Sequence, residues 1–174
     1  MIIGLMAMDG QNGIGVNNTI PWNNKHDMLH FKQTTMNQDV VIGSTTYLGL
    51  IPLFKNEVLP GRRKFVLSRR DYIGNEIGFS FSEILQMYKP INNLYIIGGK
   101  TVYDTFAAYN LYDELIITFI DGTFNCDTFL PISIMDSCFS HIQYFNVDFK
   151  LTSETYIPNA VIRTYKNNGV VDQQ

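Results

Sequence analysis

Only two cysteines occur in 174 residues. Cys126 and Cys138 match no metal or redox spacing, so two reduced thiols are expected rather than a disulfide or a zinc site. Charge is scarce too: charged residues make up 17% of the chain and the formal net charge is −3. A chain so weakly charged lacks the field that general nucleic-acid binding requires. No apolar run is long enough to span a bilayer, and the N-terminal stretch MIIGLMAMDG has no basic lead-in of the kind a signal peptide carries. No repeat or low-complexity linker divides the chain. These absences predict a soluble cytoplasmic protein with one domain over residues 1–167 and a polar, fraying tail over 168–174. No membrane or nucleic-acid partner is expected.

What is present is a globular composition, 45% apolar, written as alternating strands and helices. Short apolar runs predict strands over 1–8, 39–43, 64–68, 94–97 and 114–120. Helices are predicted over 26–36, 44–50 (opened by a Ser or Thr cap), 82–88 and 100–108. Residues 141–147 and 155–165 alternate like antiparallel strands. The pattern is that of an α/β fold: a central, mostly parallel mixed sheet of about eight strands with an antiparallel C-terminal edge, flanked by about four helices. Ligands of such sheets bind at the carboxyl ends of the strands. The polar segments there are Gly43-Ser44-Thr45-Thr46, Ser68-Arg69-Arg70 and Gly98-Gly99-Lys100-Thr101.

Several features carry chemistry. Residues 10–24, rich in Gly and Asn, read as a long loop, and such loops are often functional lids. The only tryptophan, Trp22, follows Pro21 in that loop. Asp27 comes next, in the first turn of a helix, sharing a face with Met28 and Phe31. An acid among apolar groups costs free energy unless paired, which makes Asp27 a candidate for gripping a cationic or amidine-like ligand. A first-turn acid is also what the helix dipole favours by itself, and the pattern leaves both readings open. Arg62, Arg63, Lys64, Arg69 and Arg70 fall within nine positions, as a local anion site or as a solvated cluster. Arg62 in the turn Leu59-Pro60-Gly61-Arg62 suits carboxylate capture, and Arg69 or Arg70 suits a phosphate. Gly98-Gly99-Lys100-Thr101 resembles the end of a P-loop, but the position of that motif's first glycine is Leu94, which excludes a triphosphate loop. Two glycines between strand and helix still let a backbone approach a ligand, or simply make a tight turn. Gly10 to Gly15 has the wrong spacing for a dinucleotide fingerprint. His26 and His30, four apart, have no evident third ligand and read as surface residues.

Taken in order, the following pieces resemble dihydrofolate reductase: Leu5, Met6 and Ala7; Ile14-Gly15; Ile20-Pro21-Trp22; Asp27 with Phe31 and Lys32; Val41-Ile42-Gly43 with Thr46; Leu59-Pro60-Gly61-Arg62; Leu67-Ser68; Ile97-Gly98-Gly99 with Val102-Tyr103; Thr118; and Asp127-Thr128. That family reduces dihydrofolate to tetrahydrofolate with NADPH. The resemblance implies a catalytic set of Asp27, Trp22 and Thr118. Asp27 would bind the pterin's amino group and adjacent ring nitrogen, Thr118 would hydrogen-bond that carboxylate, and Trp22 would hold a water beside it. Leu5, Ala7, Met28, Phe31, Leu59 and Ile97 would line the substrate pocket, with Arg62 at the glutamate tail. For NADPH, Ile14 and Tyr103 would pack near the nicotinamide. Thr46 and the start of the Lys100 helix would face the pyrophosphate, and Ser68 and Arg69 the 2′-phosphate. Gly98-Gly99 would bring a cis peptide against the cofactor, and the loop at Ile20 would close over the reacting rings. The remaining cofactor residues implied are Ala7, Gly15, Gly43, Ser44, Thr45, Leu67, Ile97, Thr101, Val102 and Thr128. No metal is implied, and a monomer is expected. Ser44, Thr45 and Lys100 depart from the family's usual residues, which predicts that phosphate-binding charge has been partly relocated to Lys100. A same-fold reductase of a riboflavin-precursor pyrimidine and a structural or assembly protein are the competing readings.

Overall fold

The apolar N-terminal run forms β1 (Ile2–Met8), buried along its length except at Ala7. In the computed structural model, which describes residues 1–171, β1 lies between β7 (Leu94–Ile96) and β8 (Glu114–Ile120), parallel to both, with Ala7 opposite Thr118. Beyond β7 come β3 (Asp39–Gly43), β4 (Arg63–Leu67) and β6 (Glu76–Phe79), all parallel, and then β5 (Tyr72–Ile73) antiparallel at the edge. Beyond β8 the sheet turns antiparallel through β13 (Ala160–Val170), β12 (Val147–Ile157), β11 (His141–Tyr144) and β10 (Ile132–Ile134). Eleven strands make up this sheet, and β2 (Gly13–Gly15) pairs separately with β9 (Thr128–Phe129).

The mixed sheet and its antiparallel edge match the expectation, and four α-helices flank it: α1 (Lys25–Thr35), α2 (Ser44–Leu50), α3 (Phe81–Met87) and α4 (Lys100–Ala108). The extra strands are two to four residues long, too short to show a period. The stretch 155–165 is not one strand: Asn159, at a φ of 60°, turns the chain between β12 and β13. β13 also runs to Val170, which pairs with Val147, so Asn168 to Val170 are strand and not tail. Val171 follows, its amide bonded to the Asn146 carbonyl at 2.7 Å, and residues 172–174 of the expected tail lie outside the described residues.

Two caps differ from expectation. α2 takes Gly43 as its N-cap and has no side-chain cap bond. α3 starts one residue earlier than expected, because Ser80 and Glu83 form a reciprocal capping box. On one face α4 buries Val102, Tyr103, Phe106 and Ala107 in the main core with Leu115, Tyr112 and Tyr144. On the opposite face of the sheet, Ile42, Tyr47, Val58, Leu59 and Val66 form a smaller cluster. Gly43 and Leu67, at the carboxyl ends of β3 and β4, and Ile97, just after β7, border a cleft.

Candidate active site

α1 is fixed at its start by Asn24, whose side-chain oxygen accepts the Asp27 N–H at 3.0 Å and whose amide donates to the Pro158 carbonyl at 2.8 Å. The helix therefore begins against the β12–β13 turn. Asp27 then reaches back to the sheet, where its Oδ1 accepts a 2.7 Å hydrogen bond from the Thr118 hydroxyl on β8. Thr118 is buried. Burial pushes the Asp27 carboxyl above its ordinary value, and the Thr118 hydroxyl and nearby His30 partly oppose that rise.

The apolar helix face expected around Asp27 is not there. Met28 is 63% exposed and Leu29 52%, and Thr35 is the one residue of α1 that is buried. The acid instead meets β8 through the Thr118 hydroxyl, while Met28 and Leu29 stay exposed. Phe31 is half-buried and packs against Leu59 and Ile42 on one side and Leu5 on the other. Beyond it, Arg62 donates from Nε to Thr35 Oγ1 at 3.1 Å and from Nη1 to the Pro60 carbonyl at 2.7 Å. Its guanidinium carbon lies 6.0 Å from the Phe31 ring centre.

Next to this arm runs a cleft of about 840 Å³. Every residue that the resemblance assigns to the cofactor lines it, from Ala7, Ile14, Gly15 and Ile20 through Gly43–Thr46 and Leu67–Arg69 to Ile97–Tyr103 and Thr128. Trp22 lines it as well, edge-to-face with Phe124 at 5.6 Å. The Gly98–Gly99 peptide is cis, and Gly98 sits at a φ of 119°, where only glycine is comfortable. A Cβ on Gly99 would stand 2.9 Å from Thr46 Oγ1. The Gly43 amide donates to the Gly98 carbonyl at 2.7 Å, which holds this bare backbone across the strand ends. Gly99 caps α4 without a side chain, so the amides of its first turn are left for a ligand. Tyr103, buried below, donates from its hydroxyl to the Leu5 carbonyl at 2.7 Å. Hydroxyls of Ser44, Thr45, Thr46 and Ser68 and the guanidiniums of Arg69 and Arg70 complete the lining. A cleft of this volume, lined by bare glycine backbone, hydroxyls and cations, fits a dinucleotide phosphate.

The five clustered basic residues do not form one anion site. Arg62 precedes β4 and Arg63 opens it, whereas Arg69 and Arg70 follow it and line the cleft. Lys64 points inward, 2.7 Å from Glu57. Lys100 lines the cleft, and its Nζ is 2.8 Å from Asp104 Oδ2, one helical turn on. His26 is exposed, but His30 is not a surface residue: it is half-buried and its Nε2 is enclosed without a hydrogen-bond partner. Among the described residues no group of three metal-ligating side chains forms.

The 10–24 segment is more ordered than its composition implied. β2 pairs with β9, the Asp127 amide donates to the Gly15 carbonyl at 3.0 Å, and the Asn17 amide donates to Asp127 Oδ2 at 2.9 Å. Asp9, 2% exposed, accepts from the amides of Gln11, Gly13 and Phe124. Asn18, Thr19, Ser80 and Phe81 also line the cleft and were not singled out from the sequence.

Comparison with known proteins agrees with this geometry. The family model described as dihydrofolate reductase matches residues 1–160. The dihydrofolate reductase of Mycoplasma pneumoniae is 33% identical over 141 residues, 76% of this chain and 84% of that protein. That of Mycoplasma genitalium is 30% identical over 161 residues, 86% of this chain and 96% of that protein. The solved dihydrofolate reductase from Enterococcus faecalis, complexed with NADP(H) and RAB-propyl, superposes with a TM-score of 0.75 at 25% identity, covering 97% of this chain and 96% of that one. With a family match over residues 1–160 of a chain whose strand ends form a glycine- and hydroxyl-lined cleft near a half-buried carboxylate, this protein belongs to the dihydrofolate reductase family.

Proposed function

We propose that Asp27, Thr118 and Trp22 form the catalytic set with which this chain reduces 7,8-dihydrofolate to 5,6,7,8-tetrahydrofolate, using NADPH held in the cleft. The cofactor supplies the hydride. The protein's part is to align two rings, shed water and bias one protonation. Asp27 accepts N–H groups of the pterin's amino and ring-nitrogen edge. Thr118 occupies Oδ1 and so fixes which lone pairs face the substrate. The negative charge favours a cationic, protonated pterin, and water carries the proton to its N5 nitrogen. The Thr118–Asp27 hydrogen bond beside the cleft carries this reading.

Leu5, Ala7, Met28, Phe31, Leu59 and Ile97 then line the pterin and aminobenzoyl pocket, and Arg62 meets the glutamate carboxylate. Gly98, Gly99 and the first turn of α4 take the pyrophosphate, while Ser68 with Arg69 or Arg70 takes the 2′-phosphate. Lys100 adds a cation to that side, steadied by Asp104. Ile20, 65% exposed at the cleft mouth, is placed to close over the rings. We read residues 1–167 as one domain acting as a cytoplasmic monomer without a nucleic-acid partner. One continuous sheet supports the first part, one chain supplies every contact named, and the net charge of −3 gives no attraction for nucleic acid. Loss of NADPH absorbance should follow addition of dihydrofolate and not of the riboflavin-precursor pyrimidine. Turnover of the pyrimidine alone would reverse the substrate assignment.

A further inference from the structure

Lys64 is a buried cation that the mechanism above leaves unused. Its side chain is 2% exposed. It stands on the inward face of β4, two residues before Val66, at a position where an apolar residue would satisfy the sheet. Lysine is rarely buried unless paired. Its Nζ donates to Glu57 Oε1 at 2.7 Å, lies 3.7 Å from Glu76 Oε1, and reaches the Leu59 carbonyl at 3.4 Å. Tyr47 closes the cluster: burial, then the charges of Glu76 and Glu57, push its phenol up.

The segment gripped in this way, residues 54–59, has no regular structure. It nevertheless ends on two buried residues, Val58 and Leu59, and Leu59 holds a φ of 49°. Leu59 packs with Ile42, Tyr47 and Val66, against which Phe31 also packs. Immediately beyond come Pro60, whose carbonyl accepts from Arg62, and Arg62 itself. Lys64 therefore holds from behind the same stretch of backbone that presents Leu59 and Arg62 at the front. A displaced segment would leave a buried charge short of its partner, which is strongly disfavoured.

We propose that Lys64, with Glu57 and Glu76 as counter-ions, is a positioning residue for the aminobenzoyl-glutamate end of the substrate, acting by fixing the 54–59 segment that carries Leu59 and leads into Arg62. The inference rests on Arg62 being the tail-carboxylate partner. Lys64→Met and Glu57→Ala test it, the second at a side chain 59% exposed, where folding is little at risk. With either variant the KM for dihydrofolate should rise about three- to tenfold, as expected for modest misplacement of a contact. The Kd for folate, measured by calorimetry, should rise in parallel. The kcat, the KM for NADPH, and the KM for a dihydropterin lacking the aminobenzoyl-glutamate tail should all stay within about twofold. An unchanged KM for dihydrofolate in Glu57→Ala would overturn the proposal, and so would equal rises for both pterin substrates or for NADPH. Failure of the unaltered protein to turn over dihydrofolate would remove the functional reading, and this inference with it. Normal turnover with unmoved KM values would remove this inference alone.

Discussion

Burial raises the Asp27 carboxyl, so protonation favours the folded state at this position. The charged form costs stability in full above the raised value. That cost fades as pH falls through the raised value, and it is gone below the ordinary carboxylate range. Asp27→Asn keeps an oxygen for Thr118 while removing the charge. Denaturant unfolding should therefore show it more stable than the unaltered protein at pH 7, with the difference vanishing in acid. Equal stability at pH 7 would mean that the carboxylate is not penalised by its surroundings. Thr118→Val acts in the opposite sense on the charge. Its hydroxyl lowers the Asp27 value, so its loss raises that value further and should move the acidic limb of the pH–rate profile upward. The lost hydrogen bond should also cost about 1 kcal/mol.

At the scale of elements, α1 is held by its cap more than by its core. Asn24 bonds both the Asp27 amide and the Pro158 carbonyl. Asn24→Ala should cost about 1 kcal/mol in thermal or denaturant unfolding. It should also weaken dihydrofolate binding more than NADPH binding, since it frees the helix end that aims Asp27. The bounds of α2, α4, β3 and β8 were readable because each is a clean apolar or periodic run ended by Gly or polar residues. The apolar face expected on α1 around Asp27 was not borne out at Met28, which is exposed and not part of a core. The small strands β5, β6, β9 and β10 were invisible for a different reason: their pairing is fixed by distant partners, and two to four residues carry no pattern of their own. Pro158-Asn159 was a turn signal that the alternation on either side concealed.

Across the whole molecule, the cleft is assembled from the ends of β1, β3, β4 and β7, so cofactor binding should report on the entire fold. Saturating NADPH at about one hundred times its Kd should add about 2.7 kcal/mol of stability, or about 5–10 °C in Tm for a domain of this size. Gly98→Ala should abolish most of that shift, because a φ of 119° is strained for alanine and the added Cβ would lie 3.3 Å from the Tyr103 ring. A full NADPH shift in Gly98→Ala would place the cofactor elsewhere. The lining of the cleft was legible in advance because many of its residues follow strands in short polar segments. The arrangement of charge was not: Lys64 turns inward onto Glu57 and Glu76, a grouping that only the folded chain brings together.

The central claim is that the Asp27 charge favours the protonated pterin during hydride transfer. It is tested most directly by the single-turnover rate of NADPH oxidation with dihydrofolate, in the unaltered protein and in Asp27→Asn, at pH 7 and again at acidic pH where the substrate is already protonated. The account predicts a loss of about a hundredfold or more at pH 7 and a much smaller loss in acid. An equal loss at both pH values, or no loss at either, would contradict it.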